Sequence, residues 1–281
     1  MGRRDGLVPS VPRQSQASKP EVLGRCLKGM CDIRSLASRK VAGAARFGRM
    51  KPLWTIFPGF CPLCRRTSGR AADLCDACER DVVANRDACP LCALPGLGPD
   101  VCAACIASPE PWGLAVAPFL YAPPLNRLVL GLKNGNGLMQ ARVLGALLAP
   151  ALRRAYAGQA LPDALVPVPL TWRRRRKRGF NQAALLGRDI SRRLGVPLAG
   201  RRLRRIRDAA PQQTLSRSAR QRNLRSAFSA SSMSGTVAIV DDVMTTGATL
   251  RACTNAVLKA GATEVHVWAV ARTVDGLPQV R

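Results

Sequence analysis

The stretch "VAIVDDVMTTGATL", residues 237–250, joins four apolar residues to two adjacent carboxylates, then to a run of small hydroxyl residues around one glycine. Val237–Val240 is β-branched apart from Ala238, a composition that predicts a central parallel strand buried on both faces and ending where the polar residues begin. From Thr249 to Gly261 the apolar residues Leu250, Cys253, Val257 and Leu258 fall at helical spacing, and Gly261 suits a C-terminal cap. Asp241, Asp242 and the threonines are therefore expected in a strand-to-helix turn at the carboxyl end of the sheet, where helix N-termini and unpaired amides gather. Two carboxylates accept hydrogen bonds from sugar hydroxyls, and the turn Thr245-Thr246-Gly247-Ala248-Thr249 offers amides and hydroxyls to an anion. A diol acceptor beside an anion nest describes a ribose 5-phosphate.

Three other readings of the stretch compete. "VAIVDD" resembles a Walker B strand, but the chain holds no G-x-x-x-x-G-K-[ST]. A paired-acid phosphoacceptor site leaves the Thr-Thr-Gly-Ala-Thr tail unexplained. A purely structural turn leaves two acids at the end of a buried strand with nothing to offset their desolvation.

The cysteines carry the second strong signal. Eight of eleven form C-x-x-C pairs, Cys61/Cys64, Cys75/Cys78, Cys89/Cys92 and Cys102/Cys105. Knuckles at this spacing converge on tetrahedral thiolate sites, so two structural Zn²⁺ ions are expected. Sequential pairing and a cross-brace of first with third pair both satisfy the spacing. Cys253 sits on the apolar face of its helix and reads as core.

Two further segments, "VPVPLTWRRRRKRGFNQA" (166–183) and "QTLSRSARQRNLRSAF" (213–228), stand in order between the cysteine pairs and the acidic stretch. The acidic stretch resembles the phosphoribosyl pyrophosphate (PRPP) motif of type I phosphoribosyltransferases, and the whole order resembles the ComF family. The resemblance implies an α/β fold: a phosphoribosyltransferase-like parallel sheet flanked by helices (residues 111–281), preceded by a double zinc ribbon (53–110). It implies PRPP bound with Mg²⁺, with Asp241 and Asp242 on the ribose hydroxyls and residues 245–249 on the 5-phosphate. Pro169, Leu170 and Arg178 then belong to a pyrophosphate loop. Residues 207–226, polar and arginine-studded, fall where related transferases carry a mobile loop that keeps water from the reacting sugar. Lys133 matches a lysine of the family pattern without a role that the sequence supplies.

Charge is unevenly distributed. Of the formal +27, residues 171–225 contribute 18 basic against 2 acidic residues, and residues 1–51 contribute 12 against 3. Such a field attracts polyanions. The run Arg173, Arg174, Arg175, Arg176 is the candidate nucleic-acid surface, and a solvated face is its bland alternative. No run of 18 apolar residues occurs, so no membrane span is expected. Residues 1–52 lack an apolar leader core and read as a disordered basic extension, or as an upstream start: Met50 opens "MKPLWTIFPGFCPLC" in the manner of a natural amino terminus. A cytoplasmic location is expected.

"PLNRLVLGLKNGNG" predicts a short helix closed by Gly and Asn, then a longer helix from Leu138 with a kink at Pro150. "ALVPVPL" predicts a strand ending at Pro169. Residues 181–195 predict a helix with Ala184, Leu185, Ile190 and Leu194 inward and Arg188 and Arg192 outward. "EVHVWAVAR" (264–272) predicts the last strand, with His266 and Trp268 on one face and His266 packed rather than catalytic. Nine residues follow Arg272, too few for a base-recognising hood, so either the ribbon serves as the hood or the acceptor is not a free nucleobase.

Two functions follow. One is a pentosyl-transferring enzyme, a Mg²⁺-dependent phosphoribosyltransferase. The other is a non-catalytic PRPP-sensing module whose ribbons and arginines hold single-stranded nucleic acid. ComF relatives are linked to DNA uptake in natural competence, which implies single-stranded DNA and competence-machinery proteins as partners. Aromatic residues make up 4% of the chain, so contacts to DNA would fall mostly on the backbone.

Overall fold

The computed structural model describes residues 59–96, 98, 100–134, 137–206 and 227–274, apart from the side chains of residues 174 and 177. The extension 1–52, the alternative start at Met50 and the arginine-studded stretch 207–226 lie outside the described residues.

The elements, in chain order, are α1 (Asp76–Arg80), α2 (Ala103–Ala107), β1 (Leu114–Val116), β2 (Phe119–Leu120), α3 (Leu125–Lys133), α4 (Gly137–Ala155), β3 (Ala164–Pro167), α5 (Trp172–Arg178), α6 (Gln182–Leu194), β4 (Leu203–Arg205), β5 (Phe228–Ala230), β6 (Thr236–Met244), α7 (Ala248–Lys259) and β7 (Glu264–Arg272). The main sheet is parallel, in the order β1-β7-β6-β3, with β2 also on β7. The strands β4 and β5 form a separate antiparallel pair.

As the sequence predicts, β6 is internal, and Val237–Val240 are fully buried. The strand nevertheless runs past the acids to Met244, because β7 is equally long and pairs with it throughout, Asp241 opposite Ala269 and Met244 opposite Arg272. Asp241 and Asp242 thus stand on the strand rather than in the turn. Each carboxylate accepts the next backbone N–H, Asp242 N to Asp241 Oδ1 at 2.8 Å and Val243 N to Asp242 Oδ1 at 3.0 Å. The strand β3 stops at Pro167, two residues before the expected Pro169, since two prolines within three residues leave the ladder short of donors.

Alternation along the strands divides the core into two layers. Ala238, Val240, Trp268 and Val270 face α3, α4 and α6. Val237, Ile239, Val265 and Val267 face α7 and the β4-β5 pair. Within α6 the inward stripe is Ala183, Leu186, Gly187 and Ile190, while Ala184, Leu185 and Leu194 are half-buried. Ile190 is fully buried and Leu185 and Leu194 pack against the same layer, as expected, and Gly187 lets the helix close on β6: a Cβ there would lie 3.1 Å from Val240 Cγ1. Arg188 and Arg192 are exposed, as expected. Pro150 lies inside α4, which runs on to Ala155.

The cysteine-rich region covers the β1-β2 edge of the sheet, where unpaired strand groups would otherwise face water. Ala115 donates to Pro90 O (2.7 Å), Leu120 to Val83 O (2.9 Å) and Asn85 to Pro118 O (2.8 Å). Cys61, Leu74 and Val82 join the α3-α4 layer, whereas Ala93 and Trp112 join the α7 layer. The ribbon therefore straddles the edge and packs on both layers.

Candidate functional site

A cavity of about 170 Å³ opens at the carboxyl ends of β3 and β6. Its floor is Asp241 and Asp242, its sides are Val168–Thr171, Arg178 and Gln182, and its remaining wall is Lys133, Arg205 and Thr249. Asn181 fixes the 168–171 loop to the next helix: its Nδ2 donates to Val168 O (3.0 Å), and its Oδ1 caps α6 by accepting from Ala183 N (3.0 Å). The Nη1 of Arg178 donates to Gln182 Oε1 (3.3 Å), which holds the guanidinium at the rim.

Of the residues expected from the sequence, Pro169, Leu170, Arg178, Asp241, Asp242 and Thr249 line the cavity together. Thr245, Thr246, Gly247 and Ala248 form the turn that leads from β6 into α7, with Gly247 at φ +73° as N-cap. A left-handed N-cap is a glycine position, which explains the one glycine among hydroxyl residues. Of the arginine run, Arg173, Arg175 and Arg176 do not line the cavity. Residues 172–178 form the helix α5 within the segment read as the pyrophosphate loop, and Arg173, Arg175 and Arg176 are exposed on it. Trp172 at the start of α5 is 67% exposed, with the Arg176 guanidinium 5.1 Å from its ring centre.

Three cavity residues were not legible as such. Lys133 places Nζ 2.9 Å from Asp242 Oδ2, which supplies the role that the sequence withheld. Gln182 lies in the quoted segment 166–183 with no role assigned to it there, and Arg205 comes from a segment that no pattern in the chain couples to the acids. The carboxyl of Asp241 is held well above the usual carboxylate range, first by burial and then by the charge of Asp242, with Lys133 acting in the opposite direction. Asp241 still presents part of its surface to the cavity. Two adjacent carboxylates with one cation can take up hydroxyl donors or share a proton.

The cysteines resolve into two sequential sets, Cys61, Cys64, Cys75 and Cys78, and Cys89, Cys92, Cys102 and Cys105, with the sulfurs of each set within 4.8 Å of one another. A tetrahedral Zn²⁺ with bonds of about 2.3 Å needs Sγ–Sγ edges of about 3.8 Å. The pairs Cys64–Cys75 (3.7 Å) and Cys92–Cys102 (3.6 Å) match that edge. At Cys61 and Cys89 burial opposes ionisation, yet backbone amides of the knuckles outweigh it and bring the thiols to about 6 and about 7. Thiolates prepared in this way suit a metal ligand. The cross-brace is excluded by the geometry. Cys253 is fully buried in the α7 layer, as expected.

His266 is buried on β7, its Nδ1 2.6 Å from the Tyr156 hydroxyl, which also accepts from Trp268 Nε1 (3.0 Å). It is a packed residue remote from the cavity lining. Among the described residues no helix is long and apolar enough to cross a membrane.

Comparison with known proteins agrees with this geometry. Residues 181–279 match the phosphoribosyl transferase domain, and residues 53–106 match the double zinc ribbon domain. The chain is 38% identical to the DNA utilization protein YhgH of Salmonella typhimurium over 223 residues, 77% of this chain and 98% of that protein. It is 37% identical to the protein of that name from Escherichia coli K12 over the same length and shares. It is 36% identical to Competence protein F of Haemophilus influenzae over 178 residues, 61% of this chain and 78% of that protein. With the cysteine sets, the sheet and the acidic strand end all in place, the chain belongs to the ComF family, in which a double zinc ribbon precedes a phosphoribosyl transferase domain.

Proposed function

We propose that the cavity binds PRPP and that the protein transfers or senses its phosphoribosyl group in DNA utilization. The observation that carries this reading is the acid pair at the end of β6, on the cavity floor and continuous with the turn 245–249. The carboxylates of Asp241 and Asp242 accept hydrogen bonds from the ribose 2- and 3-hydroxyls, and the turn receives the 5-phosphate. Arg178 and Arg205 line the wall on which departing pyrophosphate would be stabilised as charge develops. Among the described residues only the two cysteine sets gather three or more potential metal ligands. A Mg²⁺ would therefore rest mainly on pyrophosphate and ribose oxygens, with Asp241 and Asp242 the acids nearest to hold it. When bound there, Mg²⁺ would neutralise leaving-group charge. Calorimetry of PRPP with Mg²⁺ tests the reading, and equal affinity in the parent and in Asp241→Asn/Asp242→Asn would overturn it.

A second surface supports contact with single-stranded DNA. Exposed Trp172 sits beside exposed Arg173, Arg175 and Arg176 on α5, offering one stacking face among phosphate-binding cations. The relatives bear the names DNA utilization protein and Competence protein F. This surface and the cavity share the segment 168–178, so one protein can hold the sugar phosphate and the strand side by side. If PRPP binds without turnover, the same arrangement makes a sensor rather than an enzyme.

A further inference from the structure

Two consecutive residues of the 245–247 turn, Thr245 and Thr246, are held from outside by guanidinium groups that also bond the ribbon or the segment joining it to the sheet, and Trp112 packs beside the third. The guanidinium of Arg272, at the end of β7 and buried, donates through Nε to the carbonyl of Cys92 (2.8 Å). Through Nη1 it donates to the carbonyls of Met244 (3.1 Å) and Thr245 (2.5 Å). The guanidinium of Arg251 donates to the carbonyl of Thr246 through Nη1 (2.8 Å) and to both carboxylate oxygens of Glu110 through Nε and Nη2 (2.6 and 2.5 Å). Trp112 donates to the carbonyl of Leu91 (2.7 Å), and its ring comes within 3.5 Å of where a Cβ on Gly247 would stand. Leu91 and Cys92 belong to the Cys89/Cys92 knuckle of the second cysteine set.

In a planar trans peptide the C=O and N–H point in opposite directions. Carbonyls of Thr245 and Thr246 drawn outward onto two guanidinium groups therefore direct the N–H groups of Thr246 and Gly247 the other way, toward the anion position. Backbone amides aimed before the ligand arrives bind an anion without a reorganisation cost.

We propose that the second cysteine set, acting from its Cys89/Cys92 knuckle through Arg272 as a positioning residue and supported by the Glu110–Arg251 pair, sets the phosphate-binding conformation of residues 245–247. The ribbon is then part of the sugar-phosphate site, although no described ribbon residue lines the cavity. This rests on the reading of the turn as a ribose 5-phosphate site.

The first cysteine set docks differently, with Cys61 and Leu74 in the α3-α4 layer. Loss of a ligand there should leave the turn in order, whereas loss in the second set should not.

The test uses the full chain carrying Arg272→Lys, which keeps the charge but loses the fork, and Glu110→Gln, a milder change that serves if the first does not fold. Amide order parameters at Thr246 and Gly247 are measured in the ligand-free protein, and ribose 5-phosphate affinity by calorimetry. Both variants should bring those order parameters from the rigid value of about 0.85 to below about 0.6. Ribose 5-phosphate affinity should fall about tenfold or more, the loss expected for a charge-assisted hydrogen bond. Cys102→Ser should behave likewise, and Cys64→Ser should not. Unchanged order at the turn, unchanged affinity despite lost order, or an equal response from Cys64→Ser would each overturn the proposal. A parent protein that does not bind ribose 5-phosphate overturns the ligand reading, while the order parameters still decide whether the knuckle holds the turn.

Discussion

The ammonium of Lys133 stands 2.9 Å from Oδ2 of Asp242, joining the end of α3 to the end of β6 across more than a hundred residues of chain. The contact sets a cation against the two adjacent acids. The same cation lowers the proton affinity of Asp241. In Lys133→Met the carboxyl of Asp241 should hold its proton to still higher pH, and PRPP affinity at pH 7 should fall about tenfold, the scale of one lost charge partner. The pH at which binding develops should move upward, which calorimetry across pH 5–9 reads directly.

Asp241 should cost the ligand-free fold stability at neutral pH. Its folded pKa lies above the unfolded value of about 3.9. The stability it contributes is present below the unfolded value and lost as pH rises through the folded one. Asp241→Asn escapes that loss. Thermal melts should show the variant more stable than its parent at pH 7, the difference vanishing toward pH 4, while PRPP affinity falls. Equal melting at both pH values would contradict the buried-acid account.

Sequential zinc sites give a stoichiometric prediction. Cys61→Ser with Cys78→Ser damages one set and should leave about one Zn²⁺ per chain by elemental analysis. Cys61→Ser with Cys89→Ser damages both and should leave none bound stably. The cross-brace pattern would give the reverse result for the second pair.

On α5 the exposed arginines and Trp172 make separable contributions to DNA binding. Replacing Arg173, Arg175 and Arg176 by Ala should flatten the slope of log affinity against log salt by about 2, at about 0.7 per phosphate contact on a single strand. Trp172→Ala should lower affinity by about 1–3 kcal/mol with the slope unchanged. Fluorescence anisotropy at several salt concentrations distinguishes the two. PRPP affinity should hold in both variants, because none of these side chains lines the cavity.

Removing the Tyr156 hydroxyl leaves Trp268 Nε1 and His266 Nδ1 without that partner in a buried layer. Tyr156→Phe should cost about 1–3 kcal/mol in denaturant unfolding. Its effect on PRPP binding should be small, since His266 is packed rather than catalytic.

What the sequence alone determined is local and periodic. A β-branched run bounded by acids specifies β6, helical spacing up to Gly261 specifies α7, and "EVHVWAVAR" specifies β7 to the residue. The C-x-x-C spacing specifies two thiolate sites, because the knuckle geometry is complete within each short pair. The acids, the hydroxyl turn and Arg178 were legible for the same reason: their chemistry lies within a few residues of chain.

Tertiary structure decided whatever depends on which segments meet. It selected sequential over cross-braced cysteine sets, since both satisfy the same spacing. It extended β6 past its acids, because strand length depends on the partner β7 as well as on composition. It set α6 close on β6 at Gly187, an approach that hydrophobic periodicity does not register. And it brought Lys133, Gln182 and Arg205 to the acids, and Cys92 to the 245–247 turn through Arg272. A long cation carries no mark in the sequence of the anion it will meet, because that partner is set by how the layers pack.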